Sequence, residues 1–70
     1  MFVIKRTVTY ANGTTYSNFF VNSSFLGEEF SSKLADARKF PSRREAETAM
    51  CSLSTARRKA AKLVVLSLAA

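Results

Sequence analysis

The side chains able to do chemistry in this chain are five carboxylates, one thiol and eleven cations, with no histidine among them. Without histidine, neither a Ser-His or Cys-His nucleophile pair nor a neutral imidazole metal ligand can be assembled. Of the acids Glu28, Glu29, Asp36, Glu45 and Glu47, the first two are adjacent, so on a strand they point to opposite faces instead of converging on a substrate. Glu45 is placed to complete a helix cap. Cys51 lies one residue past Met50, at the edge of an apolar stripe, which is the setting of a partly buried, inert thiol. No glycine-rich phosphate loop is present. The chain reads as a non-enzyme, with no catalytic residue, metal site or cofactor.

The cations carry more information. Eleven Lys and Arg against five acids give a net charge of +6, which favours an anionic partner: nucleic acid, an acidic protein groove or anionic lipid. Arg57, Arg58, Lys59 and Lys62 fall near the end of a helical pattern, where the macrodipole favours cations by about 0.3–1 kcal/mol. Arg38 and Lys39 precede that pattern and Arg43 and Arg44 begin it; the dipole disfavours cations at Arg43 and Arg44, and nothing local accounts for the group. Pairing of Arg43 with Glu47 one turn on recovers only about 0.2–0.5 kcal/mol. Residues placed against local preference point to contact with a partner, so this second group is the stronger candidate.

The element that must position these groups is the stretch from Phe40 to Lys62, read as one long helix. Ser42 caps its start with Glu45 three residues on, and Pro41 stands just outside. Ala46, Ala49, Met50, Leu53, Ala56 and Ala60 form an apolar stripe that needs a sheet to lie on. Phe2 to Tyr10 alternates as a strand, and Asn12-Gly13 followed by Thr14 to Val21 completes a hairpin through a type I′ turn. That two-residue turn sets Ala11 opposite Thr14, Val8 opposite Ser17, Arg6 opposite Phe19 and Ile4 opposite Val21. Ile4, Val8, Phe19 and Val21 then line the core, with Arg6 turned awkwardly inward unless a bulge or a strand end frees it. Tyr16 and Phe20 fall on the far face beside Val3 and Lys5. Phe25, Leu26 and Phe30 suit a third strand, while Glu28 to Arg38 equally suits a short helix; the favoured reading is a short strand near Glu29 to Ser31, then a tight turn at Leu34, Ala35 and Ala37 tucked against the core and a connector from Arg38 to Phe40. Lys62 to Leu68 reads as a strand covered on both faces or lying centrally, beside the first strand. The predicted fold is α+β in the order β-β-β-α-β: an antiparallel sheet of three to four strands with one helix on one face.

Seventy residues make a single small domain, residues 1–70, of marginal stability, which a partner or a homodimer would support. Hydrophobic residues at 47% argue against disorder. A lone Cys51 excludes a disulfide within the chain, no apolar run is long enough to span a bilayer, and no signal peptide is apparent. Asn12-Gly13-Thr14 and Asn22-Ser23-Ser24 fit the glycosylation pattern but read as turn chemistry. The expected location is cytoplasmic, in the host cell if the chain is phage-encoded.

Phe2-Val3-Ile4-Lys5, Ala37-Arg38-Lys39-Phe40-Pro41-Ser42 and Glu45-Ala46 together resemble a type of short phage and mobile-element protein. These open on an aromatic-Val-Ile-Lys strand and carry an Ala-basic-x-Phe-x-Ser-x-x-Glu-Ala segment into one helix. In size and architecture such chains are similar to phage anti-defence inhibitors, anti-CRISPR proteins among them. The resemblance implies a protein that binds a host protein or ribonucleoprotein complex and blocks it sterically. Arg38, Lys39, Arg43, Arg44, Lys5, Tyr16 and Phe20 are the candidate contacts read from the residues. The alternatives are a nucleic-acid binder using Arg57, Arg58, Lys59 and Lys62 with stacking aromatics, and a homodimeric structural module.

Overall fold

The computed structural model describes residues 1–24, 26–53 and 61–68. Four strands, β1 (Phe2–Thr9), β2 (Thr15–Ser24), β3 (Gly27–Ser31) and β4 (Ala61–Ser67), form one antiparallel sheet in the order β3-β2-β1-β4. Among the described residues one α-helix, α1 (Arg43–Cys51), and a short 3-10 turn at Leu34–Asp36 complete the β-β-β-α-β order. The α+β fold expected from the sequence is the fold observed.

The hairpin register differs by one residue from the sequence expectation. Asn12 does not take the positive φ that a type I′ turn demands; only Gly13, at φ 88°, and Gly27 do so among the described residues. The Gly13 N–H donates to the Tyr10 carbonyl at 2.9 Å, and the Tyr10 N–H donates to the Thr14 carbonyl at 2.8 Å. The result is a three-residue loop, Ala11-Asn12-Gly13, of the kind in which a type I turn is followed by a left-handed glycine. Asn12 Oδ1 reinforces it by accepting the Thr14 N–H at 2.9 Å. One extra loop residue moves every β2 partner by one, so Val8 pairs with Tyr16, Arg6 with Asn18 and Lys5 with Phe19.

Because side chains alternate, that slip exchanges the two faces of β2. Phe20 is buried at 4% exposure and joins Ile4, Phe40, Ala46 and Leu53 in the core, whereas Phe19 turns to the opposite face beside Lys5. Phe20 packs edge-on against Phe30 at 5.8 Å and parallel to Phe40 at 6.5 Å. A bulge between Phe20 and Asn22 takes Val21 out of regular pairing, so Val21 does not fill the core position assigned to it. Arg6 stays on the helix side, as its spacing from Ile4 requires. Its guanidinium lies 3.8 Å from the centre of the Phe30 ring and its Nε donates to Asn18 Oδ1 at 2.9 Å, which compensates its partial burial.

Helix α1 starts where the cap predicts. Ser42 Oγ accepts the Glu45 N–H at 3.2 Å, and the Glu45 carboxylate takes the Ser42 hydroxyl proton, not its amide, at 3.2 Å. Ala46 is fully buried, with Ala49 and Met50 half-buried beside it against β1 and β4. The helix ends at Cys51, far short of Lys62, with no glycine or proline to stop it. Two tightened turns, Ser52 N–H to Ala49 C=O and Leu53 N–H to Met50 C=O, close it, and the Ser52 hydroxyl donates to the Ala49 carbonyl at 2.7 Å. Leu53, 3% exposed, then enters the core from outside the helix. Ala56 and Ala60 lie outside the described residues, as does Phe25, while Leu26 is an exposed turn residue and not part of a strand.

The last strand pairs with β1 as expected, but it is an edge strand, not a central one. Its four consecutive apolar residues reflect alternation between a helix-side pair, Leu63 and Val65, and a pair on the other face, Val64 and Leu66. The observed register predicts unequal costs for two neighbouring phenylalanines. Phe20→Ala should destabilise the fold by about 3–5 kcal/mol and Phe19→Ala by roughly half of that or less, measured by urea unfolding; the reverse order would contradict the register.

Candidate functional site

The chain between β3 and α1 fixes where two of the candidate cations stand. The Ser31 hydroxyl donates to Asp36 Oδ2 at 2.9 Å and accepts the Lys33 N–H at 3.2 Å, folding the 3-10 turn back against the strand it leaves. The Arg38 N–H then donates to the Phe20 carbonyl at 2.9 Å, and Phe40 exchanges two backbone bonds with Phe2, at 2.9 and 2.8 Å. Residues 38–40 are thereby laid along the sheet and lead directly through Pro41 into the cap of α1. Arg38 and Lys39 from this segment meet Arg44 from the first turn of the helix around an open cleft of about 530 Å³. Phe40, Pro41 and Ala49 supply its apolar lining and Glu45 its one carboxylate.

The charges in this cleft are not neutralised internally. Among the described residues none of Arg38, Lys39 and Arg44 forms an ion pair. Lys39 Nζ donates to the Ala37 carbonyl at 3.4 Å, a long bond, and the Arg38 guanidinium lies 5.7 Å from the Phe40 ring centre. Glu45 is held by the Ser42 hydroxyl at the cap. Arg43, which the sequence grouped with these three, faces elsewhere. It pairs with Glu47 at 3.8 Å and stands 5.4 Å from the Phe2 ring, so the group of four divides into three cleft cations and one structural partner.

The aromatic candidates are rearranged by the register. Phe20 is a core residue and cannot be a surface contact, and Tyr16 lies on the helix side of the sheet, away from Lys5. Phe19, not singled out by the sequence, is the aromatic beside Lys5. The face turned away from α1 presents Lys5, Phe19 and Val64 half-buried, with Lys62 and Leu66 exposed. Lys62 is on β4 opposite Thr7, so a helix C-terminus does not account for its charge; Arg57, Arg58 and Lys59 lie outside the described residues.

Tyr16 instead stacks on Tyr10, ring centres 5.5 Å apart and planes inclined by 27°, at the hairpin end of the sheet. Both rings are about half-exposed, and Arg6 with Phe30 lies on the same side. The hydrogen bond with Tyr16 holds the Tyr10 phenol above the usual tyrosine range, assisted by desolvation and the neighbouring phenol and opposed by the Arg6 charge. A raised pKa in the folded state favours folding below the unfolded value and loses that contribution as pH rises through the folded one. The signal that would have found Tyr10, Phe19 and the Arg6–Phe30 contact is the loop length alone, since Asn-Gly serves both turn types.

Among the described residues no cluster of three or more Cys, Asp or Glu could hold a metal ion, and no helix is long and apolar enough to cross a membrane. Tyr16→Phe is expected to return the Tyr10 phenol toward its ordinary range in an ultraviolet phenolate titration; an unchanged titration would contradict the hydrogen-bonded pair. No protein-family model, no curated protein and no solved structure matches this chain, so its site is defined by its own geometry.

Proposed function

We propose that this protein is a non-enzymatic binder of the phage-inhibitor or accessory type, which occupies an anionic surface of a host macromolecular complex and blocks it sterically. The observation that carries the reading is the cleft in which Arg38, Lys39 and Arg44 converge without an ion-pair partner among the described residues. Two guanidinium groups suit bidentate pairing with carboxylates or phosphates, and the lysine adds a mobile point charge. Cations of this kind steer encounter and select against basic partners, while the apolar lining around Phe40 and Pro41 offers area that can be desolvated. The host-defence setting rests on the resemblance in size and architecture.

A second reading is direct binding of single-stranded nucleic acid on the sheet face turned from the helix. Lys5 directly opposite Phe19, with Lys62 on the same face, places cations beside a half-buried aromatic on the sheet surface turned from the helix. Single-stranded nucleic acid is held in this way, by stacking and phosphate contacts.

Affinity capture of tagged protein from bacterial lysate, with and without nuclease, separates the two readings. The first expects a specific protein complex that survives nuclease and is lost by the Arg38→Glu, Arg44→Glu double variant. Arg43→Glu, at an ion-paired position, should weaken it far less. Partners released completely by nuclease, together with salt-steep oligonucleotide binding abolished by Phe19→Ala, would overturn the first reading in favour of the second.

A further inference from the structure

The two edges of the sheet are built differently. β3 is five residues long and carries Glu28 and Glu29, charges that discourage pairing with another chain. β4, at the other edge, is seven residues long and contains Leu63, Val64, Val65 and Leu66, with Lys62 its sole charge. Nothing in its composition guards it.

The direction of its backbone groups follows from alternation. Phe2 spends both its N–H and its C=O on Phe40, and the Met1 carbonyl accepts the Leu68 N–H at 2.8 Å. Odd residues of β1 therefore face β4, and in β4 the residues that face β1 are Lys62, Val64 and Leu66, in register with Thr7, Lys5 and Val3. Ala61, Leu63, Val65 and Ser67 consequently aim four N–H and four C=O groups at the free edge, where no other described strand lies.

We infer that this edge is a self-association surface, on which a second copy of the chain pairs antiparallel along β4 to make one continuous sheet with four strands from each copy. The occupant is set by symmetry. With the two-fold axis at Val64, Leu63 meets Val65 of the second copy and Ala61 meets Ser67, so every outward N–H and C=O is satisfied reciprocally. Any other symmetric register leaves some of them unpaired. Val64 faces its own copy across the axis, and each Lys62 lies opposite the second copy's Leu66, whose exposed side chain the lysine stem covers. Both helices fall on one side of the joined sheet, and Leu63 and Val65, already packed on the core, meet across the seam. A chain of this length gains from the additional buried apolar surface.

Each copy carries +6, so association works against repulsion and tightens as salt rises, opposite to the binding of an anionic partner. Sedimentation equilibrium of the full chain, over a concentration series at low and high salt, is the test. It should show a reversible monomer–dimer equilibrium that is stronger at high salt. Val64→Lys, which sets like charges directly opposite each other, should raise the dissociation constant by roughly tenfold or more. Ser17→Lys adds the same charge to the same face on β2 and should leave the edge pairing intact, with circular dichroism confirming that both variants fold. If Val64→Lys does not fold, a backbone N-methyl at Val65, introduced by chemical synthesis, removes one edge donor and should weaken the dimer similarly. A monomer at every concentration and salt, or a dimer indifferent to both edge changes, would overturn the inference.

Discussion

The rest of the structure depends on a backbone angle at Gly13. With φ at 88° there and Asn12 outside the positive-φ region, the chain turns through three residues in place of two, and the hairpin closes on Tyr10 and Thr14. A side chain at that position would meet no atom within 4 Å, so the preference for glycine is conformational, of the order of 1–2 kcal/mol for an L-residue. Its consequence is larger than its energy. Every residue of β2 takes its partner and its face from this turn, and three aromatic side chains change their roles accordingly.

Phe20 becomes the centre of the apolar layer because it touches both Phe30 on β3 and Phe40 on the segment entering α1. Its carbonyl also receives the Arg38 N–H. One residue thus ties the sheet, the connector and the helix cap together, and the cleft cations are held by the same contacts that build the core. The molecule separates its chemistry by position: cations without carboxylate partners where connector meets helix, a Lys–Phe pair on the far face, and stacked tyrosines near the hairpin turn. An apolar edge strand stands apart from all three.

Much of this was legible from local chemistry. The alternation of Phe2 to Tyr10, the Ser42–Glu45 cap and the placement of the last strand beside the first all follow from residue type and spacing, and the structure has each of them; the turn at Leu34 is present too, but Leu34 and Ala35 are exposed and only Ala37 is tucked against the core. What could not be read was non-local. Asn12-Gly13 is equally good chemistry for two turns, and the cross-strand register, not the residue pair, tells them apart. The end of the helix carried no breaker, since burial of Leu53 and tightened turns at Ser52 and Leu53 stop it. Likewise, the apolar run Leu63 to Leu66 resembles a central strand because an unguarded edge and a buried strand share a composition. Arg38, Lys39 and Arg44 were found as placed against local preference, but separating Arg43 from them required the geometry of Glu47 and Phe2.

The register can be read chemically. Thr7 and Ser17 are direct cross-strand partners whose hydroxyl oxygens lie 3.2 Å apart, in the close kind of pair that suits a disulfide. In a chain with Cys51→Ser, mild oxidation of the Thr7→Cys, Ser17→Cys variant should form an intramolecular disulfide readily, whereas Val8→Cys with Ser17→Cys should not. Ready closure of the Val8–Ser17 pair, with Thr7–Ser17 remaining reduced, would restore the two-residue turn and return Phe20 to the surface.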